Sequence, residues 1–219
     1  MSRPHIAELL DGGAAPPAEI ARSLADLRRI NRWLGGAGVL LQILEAEARR
    51  ARLTRFSLLD VGAASGDLAA AVARRFPGAR VVLCDLQPNH LPRNGAARVA
   101  AAAASLPFRE SSFDFVSASL LLHHFVDAAA VSLLRLFGRL ARRAVLINDL
   151  ERHWFPAAFI GVTSPLFARS PITRHDAVAS IRQAFRPREL DSLARAAGFE
   201  DLSVRRHRPW FRLSLVARR

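Results

Sequence analysis

Apolar residues occur along the chain in two patterns, short continuous runs and repeats every three to four residues, and segments of the two kinds alternate. Short apolar runs at 57–61 and 80–84 predict buried strands, because each run is only a few residues long and is bounded by turn residues. Apolar residues at three- and four-residue intervals at 66–76 and 131–142 predict amphipathic helices. Strands that alternate with helices in this way predict an α/β domain built on a mainly parallel sheet.

The remaining pattern extends this sheet. Further strands are predicted by the apolar runs at 99–105, 114–119 and 144–148, and a terminal hairpin by the alternating segments at 201–205 and 210–216. Two amphipathic helices, at 19–34 and 37–52, precede the first strand, so we expect residues 1–55 to form an N-terminal helical extension. Residues 56–219 then form the main domain, with an apolar, proline-broken insertion at about 151–185.

The turn after the first strand carries the most specific chemistry. Asp60 ends the strand, and Gly62 and Gly66 follow before the next helix. Glycines in such a turn let a ligand lie against the backbone at a helix N-terminus. Their spacing differs from the dinucleotide fingerprint, and the Asp60 carboxylate suits a ligand with a cationic ammonium group. Asp85 ends the second strand, where a carboxylate accepts hydrogen bonds from a ribose.

Two motifs carry a resemblance to a known family. The run LDVGAASGDL, which begins at Leu59, resembles the first motif of class I S-adenosylmethionine-dependent methyltransferases, with Ala64 in place of the middle glycine. The run LPF at 106–108, followed by SSFDFV at 111–116, is similar to the middle section of small-molecule methyltransferases related to quinone-biosynthesis enzymes. The resemblance covers the chain from Phe56 to its end and implies a Rossmann-like, seven-stranded class I methyltransferase sheet with a C-terminal antiparallel hairpin.

The cofactor implied by the resemblance is S-adenosyl-L-methionine. Family members contact the adenine amino group through an Asp, and Ala102 stands at that position here, so adenine recognition falls to the backbone near Ala103 to Ser105. The predicted cofactor-binding residues are Asp60, Gly62, Ala63, Ala64, Gly66, Asp85, Leu86, Ala104, Ser105 and Ser119.

Two adjacent histidines follow the fourth strand, at the edge where ligands of parallel sheets bind. A neutral imidazole, with a pKa of about 6.5, could take the proton of a phenol as methyl transfer proceeds. The hypothesis is that His124, or else His123, is this base. A packing or helix-start role for both is equally open.

The fifth strand delivers Asn148 and Asp149 to the same edge, and Arg152, Trp154 and Phe155 follow; we expect these five to contact the acceptor. The resemblance extends to bacterial methyltransferases of type III polyketide pathways and implies secondary metabolism and a small, apolar, phenolic acceptor methylated on oxygen. Carbon methylation of a quinone or polyketide precursor is the alternative. A third possibility is a non-catalytic partner protein that keeps only the fold.

Composition sets limits on partners and location. The formal charge is +13 and every basic residue is Arg, but the arginines are spread along the chain, which disfavours a nucleic-acid binding stripe. The exit of the fourth strand offers Ser119 where a metal-dependent enzyme would have an acid, so we expect no metal. Cys84 stands alone, and no signal peptide or membrane-spanning run is evident, so we expect a cytoplasmic protein. The oligomeric state is left open.

Overall fold

A computed structural model describes residues 3, 4, 6, 8, 9, 16–33, 36–92 and 96–219. Helices α1 (Pro17–Trp33) and α2 (Gly36–Arg50) come first in the described chain. The predicted end of the first helix at Leu34 lies outside the described residues. The later helices and strands are β1 (Ser57–Val61), α3 (Asp67–Arg75), β2 (Arg80–Asp85), β3 (Ala97–Ala100), β4 (Phe113–Ser119), a 3-10 turn (Leu122–His124), α4 (Asp127–Leu140), β5 (Ala141–Leu150), α5 (Trp154–Phe167), α6 (Pro171–Gln183), α7 (Pro187–Ala196), β6 (Leu202–His207) and β7 (Arg212–Arg218).

The strands form one seven-stranded sheet in the order β3-β2-β1-β4-β5-β7-β6. The first five strands are parallel, whereas β7 is antiparallel to both β5 and β6. The predicted sheet and its C-terminal hairpin are therefore confirmed. This order places the carboxyl ends of β1, β4 and β5 next to one another, so the residues that leave those strands share one edge.

The central strands are buried on both faces. One layer packs Leu134 and Phe137 of α4 and Leu190 of α7 against the sheet. The other layer packs Leu40 and Leu44 of α2 there, together with α3. Two layers of helices explain why the central strands read as continuous apolar runs rather than as an alternation. No helix in the described part of the chain is both long enough and apolar enough to cross a membrane.

Some predicted boundaries were wrong. The third strand was expected at 99–105 but ends at Ala100, since the chain turns away at 101–105 to form a loop. The helix predicted at 131–142 ends at Leu140 and β5 begins at once with Ala141, so Arg142 lies in the strand and not in the helix. The proline-broken segment after β5 was expected to be irregular, but it forms the two helices α5 and α6.

Two of the prolines in this segment are compatible with the helices because they fall in a first turn. Pro156 is the third residue of α5, and Pro171 is the first residue of α6. A backbone N–H in the first turn of a helix has no partner within the helix, so a proline there removes no hydrogen bond.

Candidate functional site

The turn between β1 and α3 is held tightly against β2. The backbone N–H groups of Gly62 and Ala63 both donate to the Cys84 carbonyl, at 2.8 Å and 3.0 Å. Gly62 and Gly66 take positive φ values of 71° and 70°. A Cβ at Gly62 would lie 3.2 Å from a methyl carbon of Leu121, and one at Gly66 would lie 2.8 Å from Pro92. The turn therefore needs glycine at both positions, for conformation and for space.

Ala64 occupies the position that holds glycine in the family motif. Its φ is 42°, in the left-handed region that residues with a Cβ rarely adopt. The conformation costs about 1 kcal/mol for alanine, so the loop keeps the geometry of the motif despite the substitution. The Ala64 N–H donates to Asp85 Oδ2 at 2.9 Å, and this bond helps to hold the strained residue.

Two carboxylates flank this turn. Asp85 also accepts a hydrogen bond from Gln87 N–H through Oδ1, at 3.0 Å. Asp60 is buried, and Ser117 Oγ donates to its Oδ1 at 2.9 Å. Burial raises the pKa of Asp60 to about 7, although the Ser117 hydrogen bond opposes the shift. A nearby cation stabilises the charged form of such a buried carboxyl group. The ammonium group of the implied cofactor would be such a cation.

The other predicted cofactor residues follow the neighbouring strands. Leu86 is exposed directly after β2, and Ala104 and Ser105 are exposed in the loop after β3. That loop is closed by the Ser105 N–H, which donates to the Ala102 carbonyl at 2.9 Å. Leu86, Ala104 and Ser105 form an exposed surface next to the end of β2, which we call the shelf. The turn and the shelf together fit a nucleoside that carries a cationic amino-acid group, and they would hold S-adenosylmethionine.

Ser119 and Asn148 meet where β4 and β5 end. Asn148 is fully buried and its Nδ2 donates to Ser119 Oγ at 3.0 Å and to the Gly36 carbonyl at 3.1 Å. The Asn148 carboxamide thereby ties the start of α2 to the sheet. Its Oδ1 is buried with no hydrogen-bond partner among the described residues. The prediction that Asn148 contacts the acceptor stays a prediction.

His123 lies at the centre of a buried charge network. Its Nδ1 is 2.6 Å from Asp149 Oδ1, and its backbone N–H donates to Asp149 Oδ2 at 3.2 Å. The other ring nitrogen, Nε2, faces Glu8 Oε1 at 3.6 Å. Burial alone would lower the pKa of His123, but the carboxylates of Asp149 and Glu8 outweigh it and raise this pKa to about 9. His123 is therefore an imidazolium at neutral pH.

The same contacts fix the charges of the two carboxylates. Burial would raise the pKa of Asp149 and of Glu8, but the His123 cation lowers both below their ordinary values. Arg212 is fully buried; burial lowers its pKa to about 10, against the opposing effect of Asp149, so it is also charged at neutral pH. Two cations and two anions thus balance one another in the protein interior.

The second histidine stacks on the first. The rings of His123 and His124 are 4.3 Å apart with an angle of 29° between their planes. His124 Nδ1 is 3.9 Å from Glu8 Oε2, and its side chain is 23% exposed, against 3% for His123. The structure therefore brings one buried cation and one more accessible imidazole to the carboxyl end of β4.

Glu8 is a site residue that the sequence pattern did not indicate. Its Oε1 accepts hydrogen bonds from Ser180 Oγ at 2.6 Å and from Gln183 Nε2 at 2.7 Å, both on α6. These contacts join the N-terminal segment, α6 and the histidine pair. Nothing in the sequence around Glu8 marks it, since its partners are more than 110 residues away along the chain. Glu8, His123 and His124 also place one possible metal-ligand atom each within 4.8 Å of one another.

The three predicted acceptor residues after β5 differ in their exposure to solvent. Arg152 forms an ion pair with Glu189, and its side chain is only 16% exposed. Trp154 is 75% exposed and Phe155 is 45% exposed, on the outer side of α5. Their proposed contact with the acceptor stays untested.

Comparison with known proteins agrees with this geometry. Residues 59–145 match the model of a methyltransferase domain. The chain is 29% identical over 169 residues to a demethylmenaquinone methyltransferase of Roseiflexus sp. (strain RS-1), which covers 67% of this chain and 69% of that protein. The structure superposes on the plantazolicin methyltransferase BpumL with a TM-score of 0.73 and 14% identity, over 96% of this chain and 94% of that one.

Human N-acetylserotonin methyltransferase, solved with S-adenosylmethionine, has the same fold, with a TM-score of 0.61 and 16% identity. That match covers 92% of this chain but only 56% of the human protein, so the chain spans a little over half of its length. The matched domain includes the turn at 62–66 and the histidine pair, and the seven-stranded sheet with its antiparallel hairpin is the fold that the resemblance implied. Residues 59–145 are therefore a methyltransferase domain, and the sheet has the fold of the class I S-adenosylmethionine-dependent methyltransferases.

Proposed function

We propose that the protein methylates an oxygen of a small, apolar, phenolic acceptor. The observation that carries this proposal is the stacked pair of histidines at the carboxyl end of β4, one of which is a buried cation. A phenol loses its proton with a pKa of about 10, so methyl transfer to its oxygen needs both a proton acceptor and stabilisation of negative charge. The pair supplies one ring for each task.

When bound at the turn between β1 and α3, S-adenosylmethionine would supply a methyl group from its positively charged sulfur to the acceptor oxygen and remain as S-adenosylhomocysteine. We assign His124 as the base, because His123 already holds protons on both ring nitrogens. His124 would take the proton of the acceptor's O–H group as the oxygen accepts the methyl group. The cation on His123 stabilises the developing phenolate.

The roles of the flanking elements follow from their contacts. Asp149 orients His123 and keeps it charged, so Asp149 is a positioning residue. α6 reaches the histidine pair through Ser180 and Gln183. We propose on this basis that the insertion at 151–185 is a lid over the acceptor and that residues 1–55 extend the methyltransferase domain. We also expect the protein to act in the cytoplasm and in secondary metabolism.

The test is a single-turnover assay with S-adenosylmethionine and two sets of acceptors, alkyl-substituted phenols and quinols. We expect methyl ethers from the phenols, identified by mass spectrometry and by the chemical shift of the new methyl group. Carbon methylation of a quinone precursor is the second candidate, because one relative of this chain is a demethylmenaquinone methyltransferase. A product with the methyl group on carbon would support that candidate and contradict ours, and failure to bind the cofactor at all would indicate a non-catalytic protein.

The pH dependence of cofactor binding tests the proposed role of Asp60. Below pH 7 the carboxyl group of Asp60 takes up a proton and can no longer pair with an ammonium. We expect the affinity for S-adenosylhomocysteine to fall about tenfold from pH 8 to pH 6, with release of a proton on binding. Calorimetry in two buffers of different ionisation enthalpy measures both quantities. Asp60→Asn should bind more weakly and equally at the two pH values; a wild-type affinity that does not change with pH would contradict the assignment.

A further inference from the structure

The outer face of α5 exposes large apolar side chains. Trp154, Phe155, Phe159 and Val162 are exposed on this helix, with Val162 at 79%. Residues 155, 159 and 162 are spaced four and three positions apart and so lie on one side of the helix. Pro156 and Ser164 are buried, and α5 packs on α6. Elsewhere in the described chain, apart from Trp210, the exposed large apolar residues lie singly, at Leu9, Leu86 and Val126.

The tip of the β6–β7 hairpin continues this surface. Phe211 lies beside α5, since its ring centroid is 5.8 Å from that of Phe155. Phe155 in turn stacks on Phe159 at 6.1 Å. Trp210, next to Phe211, is 42% exposed. We call the surface formed by Trp154, Phe155, Phe159, Val162, Trp210 and Phe211 the α5–hairpin face.

The α5–hairpin face has a basic border. α5 has no charged residue from Trp154 to Phe167. Arg208 lies over the Phe211 ring at 4.0 Å, and both Arg208 and Arg206 contact the buried Glu151, which offsets one of the two charges. Arg169, two residues beyond the end of α5, is exposed. The whole chain carries a formal charge of +13. An apolar centre with a positively charged border is therefore presented to solvent.

We propose that the α5–hairpin face docks on an anionic membrane surface. Tryptophan and phenylalanine side chains enter the boundary between lipid headgroups and acyl chains, and arginine attracts anionic headgroups at about 1 kcal/mol for each residue near the surface. A second copy of the chain fits this face less well, since a two-fold contact would bring the same basic border against itself in a chain of charge +13. The proposal does not depend on the identity of the acceptor.

Cosedimentation of the full chain with lipid vesicles tests the proposal. Vesicles of phosphatidylcholine alone are compared with vesicles that also contain phosphatidylglycerol. We expect binding to the anionic vesicles, weakened about tenfold or more by a rise from low to high salt, because exposed charges are screened. Phosphatidylcholine alone should bind weakly. Tryptophan fluorescence should also be quenched by brominated lipid in the anionic vesicles, since Trp154 and Trp210 are two of the three tryptophans in the chain.

A triple variant, Phe159→Ser, Val162→Ser and Trp210→Ser, locates the binding surface. None of these three residues is a predicted cofactor-binding residue, so affinity for S-adenosylhomocysteine and the melting temperature serve as controls of folding. We expect vesicle binding to fall at least tenfold, since three exposed apolar side chains no longer enter the lipid. The matched control is Val126→Ser with Arg98→Gln, which removes one exposed apolar group before α4 and one charge on β3, both outside the α5–hairpin face.

Each remaining outcome counts against the proposal. Wild-type protein that does not bind anionic vesicles would overturn it, as would an equal loss in the control variant. Sedimentation velocity without lipid measures self-association, which tests a second copy of the chain as the alternative occupant of this face. If the triple variant loses self-association but keeps its vesicle binding, the α5–hairpin face is an interface between copies of this chain and not a membrane-docking surface.

Discussion

Replacement of His124 by alanine is expected to lower kcat by about 10²–10⁴-fold, the usual contribution of a general base. Affinity for S-adenosylhomocysteine should change by less than about twofold, because binding of the product cofactor needs no proton acceptor. The loss in kcat is expected to be large because His123 cannot replace His124 as the base. His123 is a buried cation and cannot take the proton of the acceptor at neutral pH. Single-turnover rates with a phenolic acceptor and calorimetry with the cofactor product measure the two quantities.

Two variants act as controls for this prediction. His175→Ala removes a half-exposed histidine on α6 whose ring pairs with the neighbouring Asp176, and kcat should stay within about twofold of wild type. Glu8→Gln removes one of the two carboxylates that raise the pKa of His123. The alkaline limb of the pH–rate profile, near pH 9 in the wild type, should then move to lower pH. Unchanged turnover in His124→Ala would contradict its role as the base.

Local patterns predicted the fold well because most of its strands follow from short stretches of sequence. β1 has the predicted bounds, 57–61, and β2 and β4 differ from their predictions by one residue. An apolar run that ends in a glycine turn needs little information from the rest of the chain to form a strand and a turn. The third strand, with its run of alanines, was predicted poorly, since alanine has little preference for strands and β3 is set by its pairing with β2.

The candidate site was predicted only in part, because its charge network is made of distant residues. The pairing of His123 with Asp149 links residues 26 positions apart, on the adjacent ends of β4 and β5, and the strand order makes such a contact expected. Glu8 contacts Ser180 and Gln183 across 172 and 175 positions. No periodicity reports a contact between an N-terminal segment and a helix near the end of the chain.

Exposure of Trp154 and Phe155 shows a second limit of sequence patterns. Aromatic residues at helical spacing are compatible with a core, a substrate lid or a surface that meets an apolar partner, and hydrophobicity is equal in the three cases. Only packing separates them. α6 covers one side of α5 and leaves the aromatic side in solvent, and neither fact is recorded in the sequence of α5 itself.

Asp85→Ala is expected to lower the affinity for S-adenosylhomocysteine by about 100-fold or more. Hydrogen bonds from a ribose to a carboxylate contribute about 1.5–3 kcal/mol each, and a ribose can offer two. The carboxylate also accepts from the Ala64 N–H, so the variant loses part of the support for the turn. Calorimetric titration measures the affinity. Asp67→Ala is the matched control, because Asp67 is a carboxylate at the end of the same turn, is exposed and accepts a local hydrogen bond from Ser65.

A second ligand separates the role of Asp85 from that of Asp60. Methylthioadenosine has the ribose of the cofactor but lacks its ammonium group, so it should lose affinity in Asp85→Ala and keep it in Asp60→Asn. S-adenosylhomocysteine has both groups and should bind more weakly to both variants. If the turn were merely loosened by either change, the two ligands would weaken together in both variants. Two ligands that respond differently would therefore show that the carboxylates at the ends of β1 and β2 contact opposite ends of one bound molecule.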